Sequence, residues 1–198
     1  MASTTFADGT PKPEAHIIFE AWLEEYFGLV PSFMTHQDHQ KTGTILIKQP
    51  PMITTPDDPI RWYMMPGGLK DRVLQDWVVF EEQVPGESAK HTHQGGLIIF
   101  IKEGNGFSIV DGNRVDYSAG DVLVLPITPG GVEHQHFSIE GEVPFRFVAF
   151  INEGIFKWAG TNMVQQTLHE GWEDWTPENP YTGDVYSTRN TGDGNVNP

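Results

Sequence analysis

Cysteine is absent from the 198 residues. That excludes disulfide frameworks, thiolate metal sites and thiol nucleophiles, and leaves His, Asp and Glu as the strong metal donors. Long apolar runs are missing too: no stretch approaches the roughly 18 residues that carry a helix across a bilayer. Met1–Pro11 has neither the basic start nor the apolar run of a secretory signal, so the expected location is cytoplasmic. Basic residues are scarce, 12 Lys and Arg against 27 Asp and Glu, giving a formal net charge of −15. Such a chain repels phosphate backbones and anionic lipid, so neither nucleic acid nor membrane is an expected partner.

What is present suits one globular domain of many short elements. Aliphatic and aromatic residues make up 38%, and the 21 Gly and 15 Pro are dispersed along the chain. Pro13–Tyr26 has Ile17, Ile18, Ala21, Trp22 and Tyr26 at helical spacing, which predicts a short amphipathic helix. Residues 28–59 are broken by Pro and by the polar run Thr35–Thr42, with one candidate strand at Thr44–Ile47. From Arg61 onwards, runs of Val, Ile, Phe and Leu alternate with turn residues. The strands expected there are Arg61–Met65, Val73–Glu82, Gly96–Lys102, Gly106–Asp111, Asn113–Tyr117, Asp121–Leu125, Glu133–Ser138 and Pro144–Asn152. Asp111-Gly112 tolerates the positive φ angles of a type I′ turn, so the fourth and fifth strands form a hairpin. Eight short antiparallel strands in one block predict an all-β fold of the double-sheet jelly-roll kind. The expected organisation is an N-terminal extension over residues 1–60, a β-barrel over 61–155 and a C-terminal extension or tail over 156–198, with extended terminal segments.

Two histidine pairs stand out. His91 and His93 are two apart, as are His134 and His136, and residues i and i+2 of a strand point to the same face. If the two strands are neighbours or lie opposite in one barrel, three or four imidazoles converge. Each would need a hydrogen-bond partner or suffer a desolvation penalty, which a shared metal ion relieves. His16, His36, His39 and His169 lack this spacing and are expected to be surface or structural residues. Gln94 and Gln135, beside the pairs, point to the opposite face. Gly95-Gly96 allows the backbone to bend after the first pair. Trp62, Tyr63, Trp77 and Phe80 are expected in the core or in a pocket wall, and Glu133 is the leading carboxylate for such a site.

Pro85-Gly86, His91-Thr-His93, Glu103-Gly104-x-Gly106, Asp111-Gly112, Gly120-Asp121, Pro126 and His134-x-His136 occur in an order that resembles the cupin superfamily. Within it the chain is similar to the gentisate and salicylate dioxygenase class of three-histidine Fe(II) cupins, over about Gly86–Ile151. The resemblance implies a double-stranded β-helix, a metal held by His91, His93 and His134, and His136 as an acid/base or hydrogen-bonding group beside the substrate. Most cupins carry a Glu four or five residues after the second His, where this chain has Leu97 and Ile98. The class also has an Arg six residues after that His, on the substrate carboxylate; here the position is Ile99. Those relatives are usually two-cupin chains, whereas one cupin block is visible here. Arg61 and Arg72 are the cations that would replace the missing anchor.

The implied activity is that of an iron dioxygenase with no organic cofactor. It would use O2 to cleave a carbon–carbon bond of a small hydroxylated aromatic (hydroquinone- or gentisate-like) or dicarbonyl compound. The competing expectations are a non-redox metallo-cupin lyase or isomerase using Zn, Ni or Mn, and a ligand-binding cupin without turnover. Cupins commonly pair, so a homodimer or larger homo-oligomer is expected.

Overall fold

The computed structural model describes residues 3–27, 36–39, 44–47, 49–50, 52–64, 77–139, 144–159, 163–169, 171–176 and 178. Helix α1, Glu14–Phe27, takes up the predicted N-terminal helix, with the Ile17 amide bonded to the Pro13 carbonyl at its start. Its buried face is His16, Phe19 and Trp22, which keeps Trp22 of the stripe read from the sequence while Ile17, Ile18 and Ala21 are only half-buried. The cause is a second aromatic cluster in which Phe19 and Trp22 pack on Trp172 from the C-terminal segment. The backbone of β1 (His36–His39) pairs with β2 (Thr44–Ile47), so the polar run before Thr44 holds a strand where none was expected.

Two antiparallel sheets follow. The first has the order β10-β7-β12-β5-β4-β3, built from β3 (Ile53–Thr54), β4 (Pro59–Met64), β5 (Trp77–Val84), β7 (Leu97–Glu103), β10 (Val122–Leu125) and β12 (Phe145–Asn152). The second has the order β13-β6-β11-β8-β9, built from β6 (His91–His93), β8 (Asn105–Val110), β9 (Asn113–Ser118), β11 (Val132–Ser138) and β13 (Val164–Gln165). Each of the eight expected strands has a counterpart here; residue 65 of the first and residues 73–76 of the second lie outside the described residues. The Asp111-Gly112 hairpin has φ of 46° and 77°, the left-handed pair a type I′ turn demands. Strand β3 before residue 61 and β13 after residue 155 each extend a sheet. A short helix, α2 (Glu153–Trp158), follows β12.

Alternation along the strands sends one row inward. On β7, Leu97, Ile99 and Ile101 are buried while Ile98 and Phe100 are exposed. These inward residues meet Val84, Phe145, Phe147, Leu125, Tyr117 and Val132 in one core between the sheets. Among the described residues, no helix is long and apolar enough to cross a membrane.

His91–His93 and Leu97–Glu103, only three residues apart in the sequence, are two strands in different sheets. The chain crosses between the sheets at Gln94–Gly96. A Cβ on Gly95 would lie 1.7 Å from the Pro126 carbonyl oxygen, and Gly96 has φ +75°. Only glycine allows so close a backbone approach followed by a left-handed step.

Candidate metal centre

Strands β6 and β11 pair with His91 directly opposite His134, and His93 opposite Val132. Alternation then turns His91, His93, His134 and His136 to one side, and all four are buried in the barrel. Donor atoms of His91, His93 and His134 lie within 4.8 Å of one another, close enough to share one cation. His136 stands next to His134, ring centroids 5.6 Å apart, outside this set of three.

The outer nitrogens of the three rings are all committed. His93 Nδ1 donates to the Gln94 carbonyl at 2.6 Å, and His134 Nδ1 to the Val132 carbonyl at 3.0 Å. His91 Nδ1 faces Asp57 Oδ1 at 3.2 Å. Carbonyls and carboxylates only accept, so each Nδ1 carries the proton and each Nε2 carries a lone pair. Yet His91 Nε2 and His134 Nε2 are 2.9 Å apart. Two lone pairs at that distance repel unless a proton or a cation lies against them. Burial, joined by the neighbouring imidazoles, lowers the His134 pKa well below the ordinary value and brings His93 down to about 4, so a proton is a poor guest near neutrality. A borderline cation that takes neutral nitrogen donors fits this set.

Support comes from residues that the sequence did not single out. Burial pushes the Asp57 carboxyl up, but His91 and the Gln165 amide, 3.3 Å away, outweigh it and hold the group below its usual range. Gln165 is on β13, opposite His91, so the C-terminal segment braces the first histidine. Asp57 itself is fixed by a tight turn: Thr55 Oγ1 accepts from the Asp57 and Asp58 amides at 3.1 Å and donates to the Asp58 carbonyl. His136 Nδ1 lies 2.7 Å from Ser108 Oγ, which donates to the Tyr117 hydroxyl at 3.1 Å. Ser108 therefore accepts from His136 Nδ1–H, and His136 Nε2 keeps its lone pair. Burial brings the His136 pKa down to about 3, so the basicity near neutrality expected from its type is not found in this setting.

A cavity of about 750 Å³ opens in front of the four rings. The histidines come from the five-stranded sheet, while the facing wall, including Ile60, Trp62, Phe80, Leu97, Ile99 and Phe147, comes from the six-stranded sheet. Trp62 and Phe80 are thus wall residues, and Ile99, at the position where an Arg was looked for, is fully buried apolar lining. The other end is lined by α1 and the turn before it: Lys12 is bound to Glu20 at 2.5 Å, and His16 lies 3.3 Å from the same carboxyl. His16, expected on the surface or in a structural role, lines this end of the cavity.

Two other expectations change. Glu133 does not enter the site; its side chain is 45% exposed and faces Lys90 at 3.6 Å. The carboxyls that line the cavity are Glu20, Asp57 and Glu82. Arg61 alternates with Ile60 and Trp62 and so points away from the cavity, buried beside Glu81 at 3.9 Å. Arg72 lies outside the described residues, as do the side chains of His36 and His39. Gln94 faces away from the rings and ties its amide to Thr128, 2.6 Å to the carbonyl, and Gln135 bonds the Ser88 carbonyl at 2.8 Å.

Residues 79–151 match the family model described as a cupin domain. No curated protein matches the sequence. Among solved structures, a cupin-2 domain containing protein from Shewanella frigidimarina is 22% identical over 39% of this chain and 71% of its own, with a TM-score of 0.33. Salicylate 1,2-dioxygenase from Pseudaminobacter salicylatoxidans is 17% identical over 59% of this chain and 32% of its own, with a TM-score of 0.45. A cupin-like protein from Thermotoga maritima is 17% identical over 64% of this chain and 88% of its own, with a TM-score of 0.43. The chain thus spans about a third of the salicylate dioxygenase.

Proposed function

We propose that this cupin domain is an Fe(II)-dependent dioxygenase that cleaves a carbon–carbon bond of a small, uncharged hydroxylated aromatic or dicarbonyl compound. The observation that carries the proposal is the convergence of three Nε2 lone pairs, each fixed by an acceptor at Nδ1, with no carboxylate among the converging donors. His91, His93 and His134 would hold the ion. Iron held by three neutral imidazoles keeps its full 2+ charge and open positions, and would supply a place for an oxygen-chelating substrate and O2 to meet.

The chain's own residues do the rest. The apolar wall from the six-stranded sheet excludes water and takes up an aromatic or aliphatic body. The single Lys or Arg lining the cavity among the described residues, Lys12, is neutralised by Glu20, which leaves a substrate carboxylate without an anchor and favours uncharged compounds over gentisate. His136 is the proposed catalytic residue. Its Nε2 accepts a hydrogen bond from a substrate hydroxyl, and so depressed an imidazole takes the proton fully only once an anionic oxygen lies against it. Ser108 and Tyr117 hold the ring in that tautomer. The reading calls for no organic cofactor.

Metal analysis of the full chain purified without added metal, then anaerobic loading with Fe(II) and oxygen uptake on hydroquinones, hydroxyacetophenones, diketones and gentisate, tests the proposal. Uptake with uncharged compounds and little with gentisate is expected; no consumption with any of them removes the dioxygenase reading. The same three donors suit zinc, so turnover that persists under argon with Zn, Ni or Mn would favour the non-redox lyase or isomerase. A homodimer or larger assembly belongs to the same proposal, formed where β7 and β10 leave Ile98, Phe100, Val122 and Val124 exposed.

A further inference from the structure

The inner face of β5 reads Val78, Phe80, Glu82, Val84, so one carboxyl interrupts an apolar row. Its register partners are Ile60 on β4 and Phe147 on β12, and Glu82 is only 3% exposed. A buried carboxyl among apolar side chains is costly, and a Leu there would cost the fold nothing.

The other buried polar groups of the cavity are used by the protein, except the Trp62 indole nitrogen, which has no partner among the described residues. Asp57 serves His91 and Gln165, and Thr55 serves the turn. His16 accepts from the Gln165 amide and faces Glu20. The outer nitrogens of the four site histidines are taken, as described above. Glu82 lies beside the carboxyls of Asp57 and of the wholly buried Asp58, which in turn has the Ala89 amide and His169 Nδ1, the latter at 3.6 Å, for neighbours. Two carboxyls side by side need a proton between them. Burial first, then the charge of Asp57, pushes Glu82 well above the carboxylate range, and burial and Glu82 do the same to Asp58. Glu82 therefore faces the cavity as a neutral acid, braced from behind and able to donate.

We infer that Glu82 is the specificity-determining residue of this cavity, donating a hydrogen bond to a carbonyl oxygen that the substrate carries in addition to the oxygens turned towards the imidazoles. The inference rests on the proposed metal centre and narrows its substrate class to acyl-substituted hydroxyaromatics. A compound with an alkyl group in place of the acyl group leaves the acid unpaired.

The test is binding, not turnover, on the full chain loaded with zinc, which does not react with O2. The probes are 3,4-dihydroxyacetophenone and 4-ethylcatechol, which share the chelating pair and differ in the carbonyl. Titration calorimetry is expected to show the acetyl compound binding roughly tenfold tighter to the unsubstituted protein. Glu82→Leu should bring the ratio to about one, and Glu82→Gln, which keeps a donor, should retain most of it. Both variants should hold as much zinc as the unsubstituted chain, with an undiminished melting temperature for Glu82→Leu. A ratio unchanged in Glu82→Leu overturns the inference while the metal centre stands, as does zinc lost from Glu82→Gln, which would make Glu82 a ligand. A chain that takes up neither zinc nor iron fails earlier, at the metal centre, and takes this inference with it.

Discussion

At the scale of single residues, the site is a set of imidazoles held by what stands behind them. Asp57→Asn keeps the shape of the side chain and loses the charge behind His91; metal affinity measured by chelator competition should fall by about tenfold or more. His134→Ala removes a donor outright and should leave the purified chain without stoichiometric metal. His136 gives a pH signature in metal-free protein. Its pKa falls from about 6.5 in the unfolded chain to about 3 on folding. Above pH 6.5 it is neutral in both states; below, the unfolded chain takes the proton first, so this residue withdraws stability as pH drops. The unfolding free energy of His136→Phe relative to the unsubstituted protein should therefore rise from pH 7 to pH 5, by up to about 1.4 kcal/mol per pH unit. A flat difference would mean that His136 is protonated without penalty. The histidine pairs were legible because a two-residue spacing fixes a common face. Asp57, Ser108 and Glu82 were not, because each meets its partner across tens of residues of chain, and no local pattern marks it.

Among the elements, strands and turns could be read from β-branched runs and glycine-bearing turns, and the Asp111-Gly112 hairpin even down to its dihedrals. The split between β6 and β7 could not. It depends on Pro126 lying against Gly95, a contact between segments some thirty residues apart. The two glycine types separate cleanly in a test. Gly95→Ala, with no room for a Cβ, should cost about 3 kcal/mol or more in denaturant unfolding and weaken metal binding, because it displaces β6. Gly112→Ala has open space but φ of +77°, and should cost about 1 kcal/mol with metal binding intact. Helix α1 and the burial of Trp22 were found from its period, but the burial of Phe19 was not, because Trp172 lay too far away in sequence to be weighed.

For the molecule as a whole, charge and surface pull in opposite directions. Val122 and Val124, 57% and 58% exposed on the edge strand β10, sit directly opposite Phe100 and Ile98 of β7. A second copy covering these two apolar rows must overcome the repulsion of −15 against −15. Sedimentation should thus show association that strengthens with salt, and a Val122→Lys, Val124→Lys double variant should sediment as a monomer at every salt concentration. Loss of association with added salt would point to polar contacts instead.

The four site histidines stand on one sheet, and the apolar wall that faces them stands on the other. Ion capture and molecular taste are therefore written on separate pages of the fold. Inward positions of β4, β5, β7 and β12 can drift through new shapes while the donor trio stays in place, so one ancestral barrel can be retuned to many compounds without first losing its reactive heart.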